Sequence, residues 1–193
     1  MHEIFDGLVR SGGHRATEKY VQGLLLDGDR KSIEPMAKRL AADPSDVSAL
    51  RQSLRFTVAE SSWSEQTVLL RVGELLHRKL PGLEAYALDD TGFPKKGKES
   101  VGVARQYSGT LGRIDNCQVA VSLHVLGELG SGCIGFRLDL PENWASDPAR
   151  RAKVGVPESI EFETKWQLGL DLLDAALEAG LPRWPVLREW IPS

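Results

Sequence analysis

The residues best suited to chemistry lie in the run Ala87-Leu88-Asp89-Asp90-Thr91-Gly92-Phe93-Pro94-Lys95-Lys96-Gly97-Lys98. A short apolar segment delivers two carboxylates, and a Gly/Pro stretch carrying three lysines follows. Carboxylates at a strand end can hold Mg²⁺ or Mn²⁺, and neighbouring ammonium groups can meet the phosphates on which such an ion works. Asp89 and Asp90 are therefore candidate metal-binding carboxylates. Taken alone, an acid in a Gly-rich turn reads more plainly as a solvated cap. Lys95, Lys96, Lys98, Arg105 and Arg113 are candidate contacts to a nucleic-acid backbone, set against the plainer reading of a solvated charged loop. Asp115 and Asp139 are expected to be solvated hairpin acids, and His124 a core histidine. Ser108 and Ser122 lack a paired His/Asp arrangement, which disfavours a hydrolase triad. Trp63, Trp144 and Trp166 read as packing residues.

The elements that must position these groups change character along the 193 residues. Residues 1–80 read as a helical region. His14–Leu26 places Tyr20, Val21, Leu24 and Leu25 on one face, and Ile33, Met36, Ala37 and Leu40 share another after Ser32. Val47, Leu50, Leu54 and Val58 follow Asp46 at helical spacing, and Val68, Leu69, Val72, Leu75 and Leu76 follow Ser64. Four short amphipathic helices imply a compact bundle. Residues 81–193 read differently: Ala85–Leu88 as a strand ending at Asp89, then Gln118–Val125 and Cys133–Leu138 as the remaining strands of a three-strand antiparallel meander. Lys165–Ala179 is the strongest helix, repeating Trp166, Leu170, Leu173 and Leu177 and ending at Gly180. A last strand starts near Trp184. The fold class is α+β.

Composition narrows the function classes. The net charge is −3 with 26% charged residues, so nucleic-acid contact requires a local basic patch rather than a basic surface. No apolar run approaches the ~20 residues of a membrane span, and the acidic start Met1-His2-Glu3-Ile4-Phe5-Asp6 has no signal-like stretch. Cys117 and Cys133, two cysteines far apart, read as free thiols of a reducing, cytoplasmic protein.

The run Leu88–Lys98, with Ser100-Val101-Gly102-Val103-Ala104-Arg105-Gln106-Tyr107-Ser108-Gly109 and Gly112-Arg113-Ile114-Asp115-Asn116-Cys117-Gln118-Val119, resembles the DDE superfamily endonuclease domain of bacterial insertion-sequence transposases. So do Leu140-Pro141-Glu142-Asn143-Trp144, Gly155-Val156-Pro157-Glu158 and Phe162-Glu163-Thr164-Lys165-Trp166. The resemblance implies an RNase H-like core and two-metal DNA cleavage and strand transfer with Mg²⁺ or Mn²⁺. It makes Asp89 the first acid of the catalytic triad and places Asp90 at a variable position. The family's next strand runs into a second Asp followed by Tyr-Gly, whereas here Pro185-Val186-Leu187-Arg188-Glu189-Trp190-Ile191-Pro192-Ser193 stands. Glu189 falls near the second acid's position, and neither Tyr-Gly nor the third acid is matched. The expectation is an incomplete RNase H-like core: a transposase fragment, catalytically incompetent alone, with residual DNA binding. The alternative is a domesticated DNA-binding or dimeric regulatory module, in which a second copy covers exposed strand edges.

Overall fold

The computed structural model describes residues 2–8, 13–61 and 63–188. The chain divides into two compact units, Met1–Val68 and Leu69–Ser193. The boundary falls inside a helix.

The first unit contains α1 (His2–Phe5), α2 (Gly13–Leu25), α3 (Ile33–Leu40), a 3₁₀ turn at Pro44–Asp46 and α4 (Val47–Ala59). Asp43 starts the 3₁₀ turn by accepting the Ser45 backbone N–H, which supplies an acceptor for an otherwise orphaned donor. The core is Met36, Ala37, Leu40 and Leu54, with Tyr20, Ile33, Val47 and Leu50 packed around it. The periodic face expected for α3 is the buried one. On α4 the expected face is buried through Leu54, with Val47 and Leu50 beside it, and only Val58 turns outward while Thr57 is buried; on α2 the face is shifted, with Leu24 and Leu25 exposed and Thr17 and Gly23 buried.

The second unit begins within α5 (Glu65–Lys79), whose Gly73 lies against Ile134 and Leu181. From Leu69 onward α5 groups with the sheet's unit rather than with α1–α4. The strands are β1 (Leu83–Pro94), β2 (Ala104–Ser108), β3 (Arg113–Gly127), β4 (Gly130–Leu138) and β5 (Val186–Arg188). Short helices α6 (Glu142–Ala145) and α7 (Pro148–Lys153) precede α8 (Lys165–Glu178). The sheet is mixed. β3 pairs antiparallel with β1 along one edge and with β2 and then β4 along the other, while β5 lies parallel to β1. Tyr86 ties β1 to the segment before β5, its hydroxyl donating to the Pro182 carbonyl at 2.8 Å.

Two expectations about the strands are corrected. β1 does not end at Asp89 but runs five residues further, because Asp90–Pro94 continue the ladder opposite Val121–Cys117. A further strand, β2, makes the antiparallel set four-stranded rather than three.

α8 covers the sheet face carrying Tyr86, Leu88, Val121, Leu123, Val125 and Ile134. Thr164 and Gln167 form a capping box at its start, and Gly180 follows its end at φ +85°. Its buried residues are Leu168, Gly169, Leu172 and Ala176, so the expected stripe is rotated. Trp166 is 50% exposed, which corrects its assignment as a packing residue. The cause is close approach. A Cβ on Gly169 would sit 3.0 Å from a methyl of Leu88, so the small residues set the contact and turn the larger ones outward. Leu172→Ala is accordingly expected to cost about 2–5 kcal/mol in urea unfolding, and Trp166→Ala less than about 1 kcal/mol; equal costs would contradict this packing.

Candidate functional site

β1 carries the two acids at its middle, and strand alternation gives them different surroundings. Tyr86 and Leu88 face the core under α8, so Asp90 and Gly92 share that face while Asp89 and Thr91 lie on the other. Asp90 is bound by Lys165, the first residue of α8, at 2.7 Å, and both side chains are 25% exposed. Asp139, just beyond β4, is 7% exposed rather than solvated. Burial pushes its carboxyl upward, nearby Lys165 opposes this, and Asp90 reinforces it.

Asp89 is exposed, and its carboxylate accepts the Asp90 backbone N–H at 2.7 Å. It pairs with Ser122 of β3. The buried Ser122 hydroxyl lies 3.4 Å from the Asp89 carbonyl and 3.1 Å from His124 Nε2. The serine–histidine contact missing from the sequence reading therefore exists, because positions two apart on a strand share a face. With Ser122 only 2% exposed, it braces the backbone beside Asp89 rather than presenting a nucleophile. On the other edge of β1, Leu88 pairs with Arg188, the last described residue of β5. Glu189 lies outside the described residues.

Among the described residues, no group of three or more His, Cys, Asp or Glu side chains is placed to hold a metal ion. Asp89 offers one carboxylate, and Asp90 is committed to Lys165. These residues do not by themselves fit a divalent ion.

The cations form a separate cluster. With β1 extended to Pro94, Lys95 lies six residues beyond Asp89, about 20 Å along the strand, so the lysines do not flank the acid as the sequence suggested. Their loop is held by its backbone: Asn116 donates to the carbonyls of Lys95 and Gly97 at 2.7 and 2.8 Å, and Arg150 donates to that of Lys98 at 2.9 Å. Arg150 itself stacks 3.5 Å above the buried Trp144 ring, whose indole N–H donates to the Val103 carbonyl. The side chains of Lys95, Lys96 and Lys98 are left exposed. Lys153 pairs with Glu99 at 2.6 Å beside them. Arg105 is exposed on β2, while Arg113 is engaged by Asp115 at 2.8 Å. The Asn116 backbone N–H and then Arg113 hold the Asp115 carboxyl below its ordinary range. Cys117 and Cys133 are free thiols, both pushed up by burial.

Sequence reading missed three of these roles. Lys165 stands 75 residues from Asp90, and Asn116 and Arg150 act through backbone carbonyls, which no side-chain pattern encodes. Lys165→Met is expected to destabilise the chain by about 1–2 kcal/mol in urea unfolding, because it strands a quarter-exposed carboxylate. The exchange Asp90→Lys with Lys165→Asp should recover part of that loss.

The chain is similar to the probable transposase for insertion sequence element IS701 of Microchaete diplosiphon, with 35% identity over 109 residues. That match covers 55% of this chain and 27% of the relative, so the chain spans only part of its length. No solved structure matches. The sequence pattern of the family described as DDE superfamily endonuclease matches residues 3–188, nearly the whole chain, and the chain belongs to that family.

Proposed function

We propose that this chain is the DNA-engaging part of an insertion-sequence transposase of the DDE type, built on an RNase H-like core. The single observation that carries the reading is the contrast between two adjacent acids: Asp90 is consumed by Lys165, while Asp89 stays exposed at mid-strand beside the parallel β5. The strand order supports it as well. An antiparallel set followed by a crossover helix and a strand parallel to the first is the opening order of the RNase H-like fold. Similarity to a probable transposase supports the reaction class. We assign residues 1–80 to the helical region and 81–193 to the nuclease-type part.

Asp89 is then the position of the family's first metal ligand, and Mg²⁺ or Mn²⁺ is the ion that the family implies, although one exposed carboxylate does not hold it alone. DNA runs from the Lys95–Lys98 loop toward Asp89. The roughly 20 Å between them spans about six phosphates of one strand at about 3.4 Å of helix axis each. Lys95, Lys96, Lys98 and Arg105 supply the charge, and Arg113 shares its charge with Asp115.

The chain alone is expected to bind supercoiled DNA without nicking it in Mg²⁺ or Mn²⁺. Strong nicking abolished by Asp89→Ala would show instead that it is a competent nuclease. Replacing Lys95, Lys96 and Lys98 together by alanine is expected to lower the slope of log affinity against log salt by roughly 2–3, since each phosphate contact contributes about 0.9. An unchanged slope would remove this loop from the DNA interface.

A further inference from the structure

We propose that the outer face of the β2–β3 hairpin is a stacking platform for unpaired nucleotides, so that the chain binds single-stranded or melted DNA in preference to intact duplex. The inference rests on the DNA-binding reading above and names the form of DNA that this surface takes. Alternation places Arg105 and Tyr107 on one face of β2, opposite Asn116 and Ile114 of β3. Tyr107 is 41% and Ile114 58% exposed, and Leu111 in the connecting turn is 39% exposed. Cross-strand partners on one face stand about 5 Å apart, so the ring and the aliphatic side chain form one apolar step.

The opposite side of the hairpin is anchored. Ser108 is buried against Gly92, where a Cβ would come within 2.7 Å of the serine hydroxyl. Thr110 donates to the Gly92 carbonyl at 2.8 Å, and Gln106 donates to that of Cys117 at 3.0 Å. The outer step is therefore held rigid while its apolar atoms meet water.

Charge complementarity selects the occupant. Asn116, on the platform's own face, holds the Lys95–Gly97 backbone. That brings a loop of three lysines to the edge of the step, and none of their ammonium groups has an ion-pair partner among the described residues. Arg105 adds a fourth cation two residues from Tyr107. Asp115, one position away in β3, lies on the other face and is occupied by Arg113. An apolar, aromatic surface rimmed by cations matches a strand whose phosphates lie on the rim and whose bases stack on the step. In an intact duplex the base faces are already stacked on one another, so only the rim can be used.

The test is fluorescence anisotropy of the full chain with a labelled oligo(dT) and with a duplex of equal length, at one salt concentration. Wild type is expected to bind oligo(dT) more tightly. Tyr107→Ala should weaken oligo(dT) binding about tenfold and change duplex binding by less than about twofold, and Tyr107→Phe should retain wild-type affinity for both. Lys96→Ala should weaken both. Circular dichroism melting of each variant identifies any that fail to fold. Equal wild-type affinity for the two DNAs, or a folded Tyr107→Ala that loses neither or both equally, overturns the platform and leaves the DNA-binding reading standing. No binding of either DNA by wild type overturns that reading as well.

Discussion

β1 is hydrogen-bonded along both edges, antiparallel to β3 and parallel to β5, and the rest of the second unit depends on that constraint. A strand pinned on both sides cannot slip, because a one-residue shift would carry every side chain to the opposite face. Tyr86 and Leu88 then have to face α8, and Asp90 has to follow them inward to Lys165. Asp89 is left facing out. Two chemically identical neighbours acquire opposite roles from the parity of a strand, with no difference in the residues themselves.

The charged surface works by a similar separation of tasks. An acidic protein must concentrate its cations to attract a polyanion, and concentrated lysines repel one another. Here the loop carrying them is stabilised through its carbonyls by Asn116 and Arg150, so its geometry does not depend on neutralising the ammonium groups. Arg113 and Lys153 do the opposite, each meeting a carboxylate. The cations that serve the fold and those that remain available to a ligand are thus different residues of one cluster.

Much of the architecture was legible in the sequence. Periodicity placed α3 and its buried face, Gly180 marked the end of α8, and β-branched runs marked β3 and β4. What could not be read follows from packing. The face of α8 was misassigned because large apolar residues mark a stripe in the sequence, whereas Gly169 and Ala176 let the helix approach the sheet and so decide its rotation. The extension of β1 past Asp89 was hidden because Gly92 and Pro94 look like a turn, although the long β3 supplies a partner for each residue. β2 has little alternation of its own and exists because β3 extends beyond β4. Asp89 stood out in the sequence; that Asp90 is taken by a residue 75 positions away did not.

The tie between β1 and the end of the described chain has a consequence for biosynthesis. Tyr86 and the Pro182 carbonyl are 96 residues apart, and β5 joins β1 across a comparable interval. A nascent chain can close the three-helix core of its first unit from local contacts while it is still being made. β1, by contrast, keeps an open edge until translation has passed residue 188, which at about 5–20 residues per second leaves it exposed for about 5–20 s. The strand that carries the acids therefore emerges from the ribosome early and acquires its second partner strand last.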